Sequence, residues 1–106
     1  MRMWNIKPEK MCNQHLLGEH VEMHMFIGCI NKNKSIKGYL DKNLVEVHNI
    51  KRRHSQLAKE MKKRNINHKS ELPKYKFIKM GKVFTKNNEI ELNKRCKNCR
   101  KLNKNG

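Results

Sequence analysis

The sequence predicts an all-α protein, a compact bundle of about three helices with long basic loops and an N-terminal segment packed against the first two helices. Apolar residues recur at helical spacing in two stretches, 11–30 and 46–64, and again near the C-terminus. At 106 residues the chain can form one modest core, which favours a single domain over 1–106. We expect the polar end, 103–106, to fray.

The first helix is predicted over residues 11–30. Pro8 suits the first turn that leads into this helix, and Gly28 and Asn31 are typical stop signals. At about 100° per residue, one side of the helix is mostly apolar, as expected for a helix packed on a core. The members of this stripe are Cys12, Leu16, His20, Met23, Ile27 and Ile30.

Beside the apolar stripe, the next edge of the first helix carries His15, Glu19, Glu22 and Phe26. Carboxylates and an imidazole on a half-buried edge can move protons or stabilise a developing positive charge. A carboxylate among many cations can also simply balance charge, which is the more economical interpretation of the residues alone. This edge is where we look for chemistry.

The remaining elements are predicted in chain order. Residues 31–43 are lysine-rich and lack a sustained period, which favours a surface loop. The second helix, over 46–64, combines an apolar arc with many lysine and arginine residues. Residues 74–80 alternate lysine with apolar side chains, as a short strand or extended chain does. A third helix begins near Asn88, which has Glu91 three residues later.

The charge of the chain indicates a polyanionic partner. The chain has 26 lysine and arginine residues against 9 acidic ones, a net charge of +17. Such an excess repels itself in the compact state, and nucleic acid is the partner it favours. The sequence contains no long apolar segment and no signal-peptide pattern. We therefore expect a cytoplasmic, monomeric protein with reduced thiols and no membrane partner.

The cysteines leave a metal site open as an alternative. Cys96 and Cys99 form a C-x-x-C pair, half of a four-ligand zinc site, which Cys12 and Cys29 could complete. The helical spacing of the pair with nearby leucines instead favours packing of both thiols as small apolar groups. We predict no metal and no cofactor, and Cys96 and Cys99 are the residues that would bind zinc if any do.

No serine or threonine motif supplies a nucleophile, which leaves amines as candidates. Lysine side chains have a reference pKa of about 10.4, so roughly 1 in 2,000 is neutral at pH 7. An α-amino group, with a reference pKa of about 7.7–8.0, is neutral in roughly 10–20% of molecules. A free chain terminus is therefore the better imine-forming nucleophile, unless a lysine is specially desolvated.

The segment 14–16, Gln-His-Leu, with Glu19 and Glu22 after it, resembles the pyrimidine-dimer DNA glycosylase/AP lyase family, the small phage endonuclease V type. Residues 61–67, which close the second helix, are similar to the same helix of that family. The resemblance spans roughly the first two-thirds of the chain. It implies an all-helical enzyme that binds duplex DNA with damaged or abasic sites and extrudes a base from the stack.

The resemblance also implies roles for individual residues. The amine of Met1 would attack C1′ of the damaged nucleotide, and β-elimination from the resulting imine would nick the strand. Glu22 takes the place of the catalytic glutamate, which would stabilise positive charge on the sugar and handle protons. Arg2 would hold a phosphate, and His15 would orient Glu22 or touch DNA. Gln14 falls in the same motif and is a candidate DNA contact.

The terminus fits this resemblance in its spacing. Many relatives expose a threonine amine after losing their initiator methionine, whereas the position that corresponds to this threonine is Met1 in this chain. Methionine is ordinarily not removed before a residue as bulky as Arg2.

The chain departs from the family at two positions near the catalytic glutamate, where relatives have basic residues and this chain has Val21 and Met25. The aromatic-rich C-terminus of the best-known member is also missing.

Contacts to the DNA backbone are predicted from the basic loop and the second helix. The candidates are Lys32, Lys34, Lys37, Arg52 and Arg53. The contacts that relatives make with arginines beside the catalytic glutamate would come from Arg52 or Arg53 here, or be absent. Each contact adds about one unit to the salt dependence of binding.

Two other functions stay open at this point. The first is a non-catalytic, basic accessory protein that binds nucleic acid on the same helical scaffold. The second is a zinc-assisted nuclease that uses His20, His24 and the cysteines, although the sequence has no H-E-x-x-H pattern. A lone histidine on an apolar stripe is usually a packed histidine, and we assign that role to His20.

Overall fold

The structure, a computed structural model, describes residues 1–67 and 71–104, except for the side chains of 103 and 104. The all-α prediction is confirmed, because 62% of the described residues are helical and none of them lies in a strand. The helices are α1 (Asn13–Asn31), α2 (Lys37–Asp41), α3 (Ile50–Lys63), α4 (Thr85–Arg95) and α5 (Lys97–Lys104). Short 3₁₀ turns cover Pro8–Lys10 and Val47–Asn49. Among the described helices, none combines the length and the apolar composition that a membrane-spanning helix requires.

The described residues form five helices, not the three that the sequence predicts. The expected loop 31–43 contains α2, which has only 5 residues and buries none of them. The expected third helix is divided at Cys96, whose extended backbone (φ −119°, ψ 114°) separates α4 from α5. Residues 74–80 have no regular secondary structure, which fits the extended alternative. Residues 105 and 106 of the end predicted to fray lie outside the described residues.

The core lies mainly between α1 and α3. Each helix buries one apolar side, and burial of a leucine-, isoleucine- or methionine-sized side chain contributes about 1.5–3 kcal/mol. The buried apolar residues of this interface are Leu16, Met23, Phe26 and Ile27 on α1 and Ile50, Leu57 and Met61 on α3. The periodicity that predicts the two helices therefore also places them against each other.

Residues 1–7, the N-terminal strap, pack against α1 and α3 as predicted. Met3, Trp4 and Ile6 are buried, so the strap is part of the core. The Ile6 carbonyl accepts a hydrogen bond of 2.6 Å from Nη1 of Arg53 on α3. The Met3 amide donates to the Leu44 carbonyl at 2.6 Å. The first residues of the chain are thus held in place and do not trail into solvent.

The segment 71–84 connects α3 to α4 without helix or strand. The Tyr75 hydroxyl donates to the Val47 carbonyl at 3.1 Å, and the Val47 amide donates to the Met80 carbonyl at 2.9 Å. Gly81 turns the chain with φ at +92°, where an added Cβ atom would clash with the Val45 carbonyl oxygen. The glycine is therefore required at this position, both for its backbone angle and for the close approach.

Candidate active site

The start of the chain lies beside a carboxylate of α1. The backbone amide of Arg2 donates a hydrogen bond of 3.2 Å to Oε2 of Glu22. Glu22 is half-buried, and Met1 is half-buried and packs against the core. Consecutive Cα atoms are about 3.8 Å apart, so the chain terminus lies within one residue of this contact. The structure thus brings together the terminus and the glutamate that the sequence singles out.

The Arg2 side chain makes contacts within the protein. Its Nη2 donates to Oδ1 of Asn88 at 2.7 Å, and its Nη1 lies 3.1 Å from a carboxylate oxygen of Glu91. The guanidinium carbon lies 3.9 Å from the centre of the Trp4 ring. These contacts fasten the strap to α4. The phosphate contact that the resemblance implies for Arg2 stays a prediction.

Trp4 is the residue around which the strap is organised. The Arg95 guanidinium lies 5.4 Å from the centre of its ring and adds to the contact with Arg2, an arrangement worth about 0.5–2 kcal/mol for each cation. Asn88, which is buried, donates from Nδ2 to the Trp4 carbonyl at 2.9 Å. The sequence predicts Asn88 only as a helix start, because a side chain that pairs with a strap 84 residues away has no local signature.

His15 lies between the strap and a group of thiols. Its Nδ1 is 3.2 Å from Sγ of Cys12 and 3.7 Å from Sγ of Cys99, and its ring packs edge-on against Trp4 with centres 6.1 Å apart. Burial lowers the pKa of His15, the nearby Arg95 lowers it further, and Glu22 acts in the opposite direction. The neutral imidazole is therefore favoured, with its Nδ1 among the sulfur atoms.

Three of the four cysteines meet at this point. The ligand atoms of Cys12, His15, Cys96 and Cys99 all lie within 4.8 Å of one another. We call these four residues the Cys/His cluster. Burial raises the pKa of the Cys99 thiol to about 12. Of the two cysteines that could complete a site with the C-x-x-C pair, Cys12 lies beside the pair, whereas Cys29 lies about 25 Å farther along α1.

The histidines of α1 form a separate group. His20 and His24 meet His54 of α3, with Nε2 of His24 lying 3.1 Å from Nε2 of His54. The ligand atoms of these three residues lie within 4.8 Å of one another. The nuclease hypothesis needs histidines and cysteines in one site. Among the described residues they form two groups, so that combined site is not formed.

One of the predicted DNA contacts, Arg53, is buried inside the protein. Its side chain is 2% exposed, and its Nη2 donates to Oε1 of Glu19 at 2.8 Å, while its Nε bonds to the other carboxylate oxygen. Burial raises the pKa of the Glu19 carboxyl, and the hydrogen bonds and charge of Arg53 act against that rise. Both residues are internal, so Arg53 cannot contact a phosphate and Glu19 cannot act on a substrate.

The other predicted DNA contacts lie on the surface. The exposed residues are Gln14, Lys32, Lys34, Lys37 and Arg52. Lys37 is paired with Asp41 at 3.0 Å in a solvent-exposed i, i+4 contact, which is weak. Arg52 lines a groove of about 440 Å³ between the strap and α3, together with Lys7, Lys59 and Lys63. We call these four cations the groove cations.

These features define a class: a small, strongly basic, all-helical protein with its chain terminus beside a helix glutamate. The model of the pyrimidine dimer DNA glycosylase family matches residues 1–74. The chain belongs to this family, and the resemblance based on residues 14–22 is confirmed. The match covers the strap and the helices α1 to α3, and α4 and α5 lie beyond it. Comparison with curated proteins and with solved structures gives no significant match.

Proposed function

We propose that this protein is a DNA glycosylase with AP lyase activity that acts on UV pyrimidine dimers in duplex DNA, with the α-amine of Met1 as nucleophile. The observation that supports this most directly is the 3.2 Å hydrogen bond between the Arg2 amide and Glu22. It holds the first residues of the chain next to a half-buried carboxylate. Membership of the pyrimidine dimer DNA glycosylase family supports the substrate class.

The first step replaces the glycosidic bond by a bond to the protein. The nitrogen of Met1 attacks C1′ as the base leaves with the bonding electrons and takes up a proton. The nitrogen loses a proton, and the sugar ring opens at the C1′–O4′ bond with a proton delivered to O4′. The product is a protonated imine between Met1 and C1′, with no change of oxidation state.

The second step cleaves the strand. Removal of a proton from C2′ expels the phosphate oxygen at C3′, because the imine stabilises the developing negative charge. Water then hydrolyses the imine and frees the amine of Met1. Glu22 is the group beside the terminus that can stabilise the cationic sugar and carry these protons. Neither step consumes a cofactor.

Arg2 and His15 act as positioning residues in this proposal. Arg2 ties the strap to α4 through Asn88 and Glu91, and its guanidinium stacks on Trp4. His15 packs against the edge of the same Trp4 ring. Because reacting atoms must be held within a few tenths of an ångström, loosening either contact lowers the rate of imine formation more than DNA binding.

Borohydride reduction in the presence of a UV-irradiated or abasic duplex tests the proposal. We expect a covalent protein–DNA adduct that peptide mapping places on Met1, and no adduct when the terminus is acetylated. The variant Glu22→Gln is expected to bind DNA as before but to lose strand cleavage by about 10²-fold or more. The matched control is Glu71→Gln, which removes an exposed carboxylate from another part of the chain and is expected to cleave normally.

The outcomes separate the functions that the sequence leaves open. Salt-dependent binding without an adduct, and with no effect of Glu22→Gln, would identify a non-catalytic accessory protein. An adduct on a lysine would keep the glycosylase class but overturn the role of Met1. Cleavage that survives both acetylation and Glu22→Gln would overturn the mechanism as a whole.

A further inference from the structure

We propose that the Cys/His cluster binds one zinc ion, which fastens α5 and the end of α4 to the start of α1. The cluster consists of Cys12, His15, Cys96 and Cys99, so the ion would have a Cys₃His ligand set. Tetrahedral sites of three thiolates and one imidazole are typical structural zinc sites. The inference concerns metal binding and stability, and it does not rest on the proposed enzymatic function.

The distances between ligand atoms fit a tetrahedral ion. With zinc–sulfur bonds of about 2.3 Å and zinc–nitrogen bonds of about 2.0–2.1 Å, two sulfurs should lie about 3.8 Å apart and a sulfur and a nitrogen about 3.6 Å apart. Sγ of Cys12 lies 3.8 Å from Sγ of Cys96. Nδ1 of His15 lies 3.2 Å from Sγ of Cys12 and 3.7 Å from Sγ of Cys99.

The sequence spacing supports the same ligand set. Cys12 and His15 form a C-x-x-H pair, and Cys96 and Cys99 form a C-x-x-C pair. In each pair the first ligand immediately precedes a helix and the second lies in its first turn. Two short pairs at distant positions are the usual arrangement of a structural zinc site.

Backbone groups around the cluster favour negative sulfur atoms. The Cys12 amide donates to Sγ of Cys99 at 3.3 Å, and the Cys99 amide donates to Sγ of Cys96 at 3.4 Å. The N-termini of α1 and α5 therefore meet here, and each has the positive end of its helix dipole at the cluster. Two such ends repel each other unless anionic groups lie between them, as zinc-bound thiolates would.

The C-terminal helix α5 has few packing contacts of its own that would hold it against the rest of the protein. Among residues 97–102 of α5, whose side chains the structure describes, only Cys99 is buried. Leu102 is 46% exposed, so α5 has almost no apolar side to pack. A basic helix of 8 residues is too short to be stable alone in water. An ion that joins Cys99 to Cys12 and His15 would add a strong attachment to the single hydrogen bond between the Cys12 amide and Sγ of Cys99.

A disulfide does not account for the cluster. Sulfur atoms in a disulfide are about 2.05 Å apart, whereas those of Cys12 and Cys96 are 3.8 Å apart. None of the four cysteines, all of which lie among the described residues, forms a disulfide. A set of three sulfurs and one nitrogen also excludes Ca²⁺ and Mg²⁺ as preferred ions, because both select oxygen ligands.

Metal analysis of the full-length protein, purified under reducing conditions, is the first test. We expect about one zinc ion per chain. After removal of zinc, titration with Co²⁺ should give the visible absorption of a tetrahedral ion together with sulfur-to-cobalt charge transfer. Co²⁺ bound only by nitrogen, as at His20, His24 and His54, would lack that charge transfer and would overturn the proposal.

Variants identify the ligands. Cys96→Ser is expected to weaken zinc binding by at least about tenfold, since even changes outside the ligand shell cost this much. His15→Ala should do the same, whereas His15→Cys should retain the ion because Cys₄ sites also bind zinc. Cys29→Ser is the matched control, since Cys29 is half-buried on α1 outside the cluster, and it should leave zinc content unchanged.

The stability of the wild-type protein keeps the proposal testable if a variant fails to fold. Because binding free energy at a structural zinc site is folding free energy, a chelator should lower the melting temperature and added Zn²⁺ should restore it. The proposal is overturned by a chain that contains no zinc and binds no Co²⁺ when fully reduced. It is equally overturned by a Cys96→Ser variant that binds zinc with the affinity of the wild-type protein.

Discussion

Glu19 and Arg53 place two full charges inside the interface of α1 and α3. The carboxylate bonds Nε and Nη2 of Arg53, and Nη1 bonds the Ile6 carbonyl. The pair thereby connects α1, α3 and the strap. Removing two ions from water costs several kcal/mol for each ion, and a good pair only roughly offsets that cost. The pair therefore fixes how α1, α3 and the strap are arranged, and it adds little to the free energy of unfolding.

Single and double substitutions should separate these two effects. Glu19→Ala leaves a buried guanidinium without its partner, and we expect it to lower the free energy of unfolding by about 3–5 kcal/mol. The double variant Glu19→Met with Arg53→Met replaces the pair by apolar groups, and we expect a change within about 1 kcal/mol of wild type or a gain in stability. Urea unfolding measures both. A double variant as unstable as Glu19→Ala would show that the pair itself stabilises the fold.

Asn88 is the residue of α4 on which the strap conformation depends. It accepts from Arg2 at 2.7 Å and donates to the Trp4 carbonyl at 2.9 Å. Asn88→Ala removes both hydrogen bonds and leaves their partners unsatisfied, which we expect to lower the free energy of unfolding by about 1–3 kcal/mol. If the strap carries the nucleophile, the variant should also lower the rate of the borohydride-trapped step while DNA affinity changes little.

The neighbour Asn87 provides the comparison for Asn88. It is exposed on the same helix, so Asn87→Ala should change both stability and trapping rate little. Trapping rates measured at saturating DNA exclude an effect on binding. Equal trapping rates for Asn88→Ala and wild type, despite a lower melting temperature, would show that the hydrogen bonds of Asn88 serve only the fold.

At the scale of elements, the segment 71–84 is ordered by a few contacts around Gly81. We expect Gly81→Ala to destabilise the protein, because the positive φ costs about 1–3 kcal/mol for a residue with a side chain. The added Cβ would also clash with the Val45 carbonyl oxygen. Gly18→Ala is the opposite case, since it lies within α1 with no atom within 4 Å of its added Cβ. Gly18→Ala should raise the free energy of unfolding by up to about 1 kcal/mol. In thermal melting, the melting temperature should therefore rise for Gly18→Ala and fall for Gly81→Ala.

Periodicity predicts the elements that pack on one another and fails for those that depend on distant partners. The helices α1 and α3 are predicted within a few residues because an apolar side repeats at 3.6 residues. The division at Cys96 is not predicted because the spacing from Leu92 to Leu102 suits one continuous helix. The chain leaves helical geometry there to bring Cys96 and Cys99 to Cys12, a contact across 84 residues that no local pattern contains.

The candidate site is predictable where its residues share one helix. Glu22 and His15 follow from the edge of α1, and the family resemblance adds Met1. The difference between Arg52 and Arg53 is also contained in the sequence, because Arg53 lies three residues after Ile50 and four before Leu57, on the buried arc of α3. The C-x-x-H pair of Cys12 and His15 is missed for another reason: the helical projection assigns Cys12 to the apolar stripe and His15 to the adjacent edge, although residues three apart are neighbours on a helix.

At the scale of the whole molecule, the net charge of +17 bears on how strongly the proposed DNA substrate would bind. Bound phosphates release counterions, so the logarithm of the binding constant falls with the logarithm of the salt concentration. The slope is about 0.9 for each phosphate neutralised in duplex DNA. The slope therefore measures how many phosphates the protein neutralises, which makes it a direct way to compare candidate surfaces.

The groove cations of α3 are the surface to test first. Replacing Arg52, Lys59 and Lys63 by glutamine should reduce the salt slope by about 0.9 for each phosphate that is no longer neutralised, as measured by fluorescence anisotropy with an undamaged duplex. Lys10→Gln is the control, because its charge is already paired with Glu89 at 3.0 Å and should release few counterions. If the triple variant keeps the wild-type slope, the phosphates lie elsewhere. Lys32 and Lys34, both exposed after α1, would then bind the phosphates, and their replacement should reduce the slope instead.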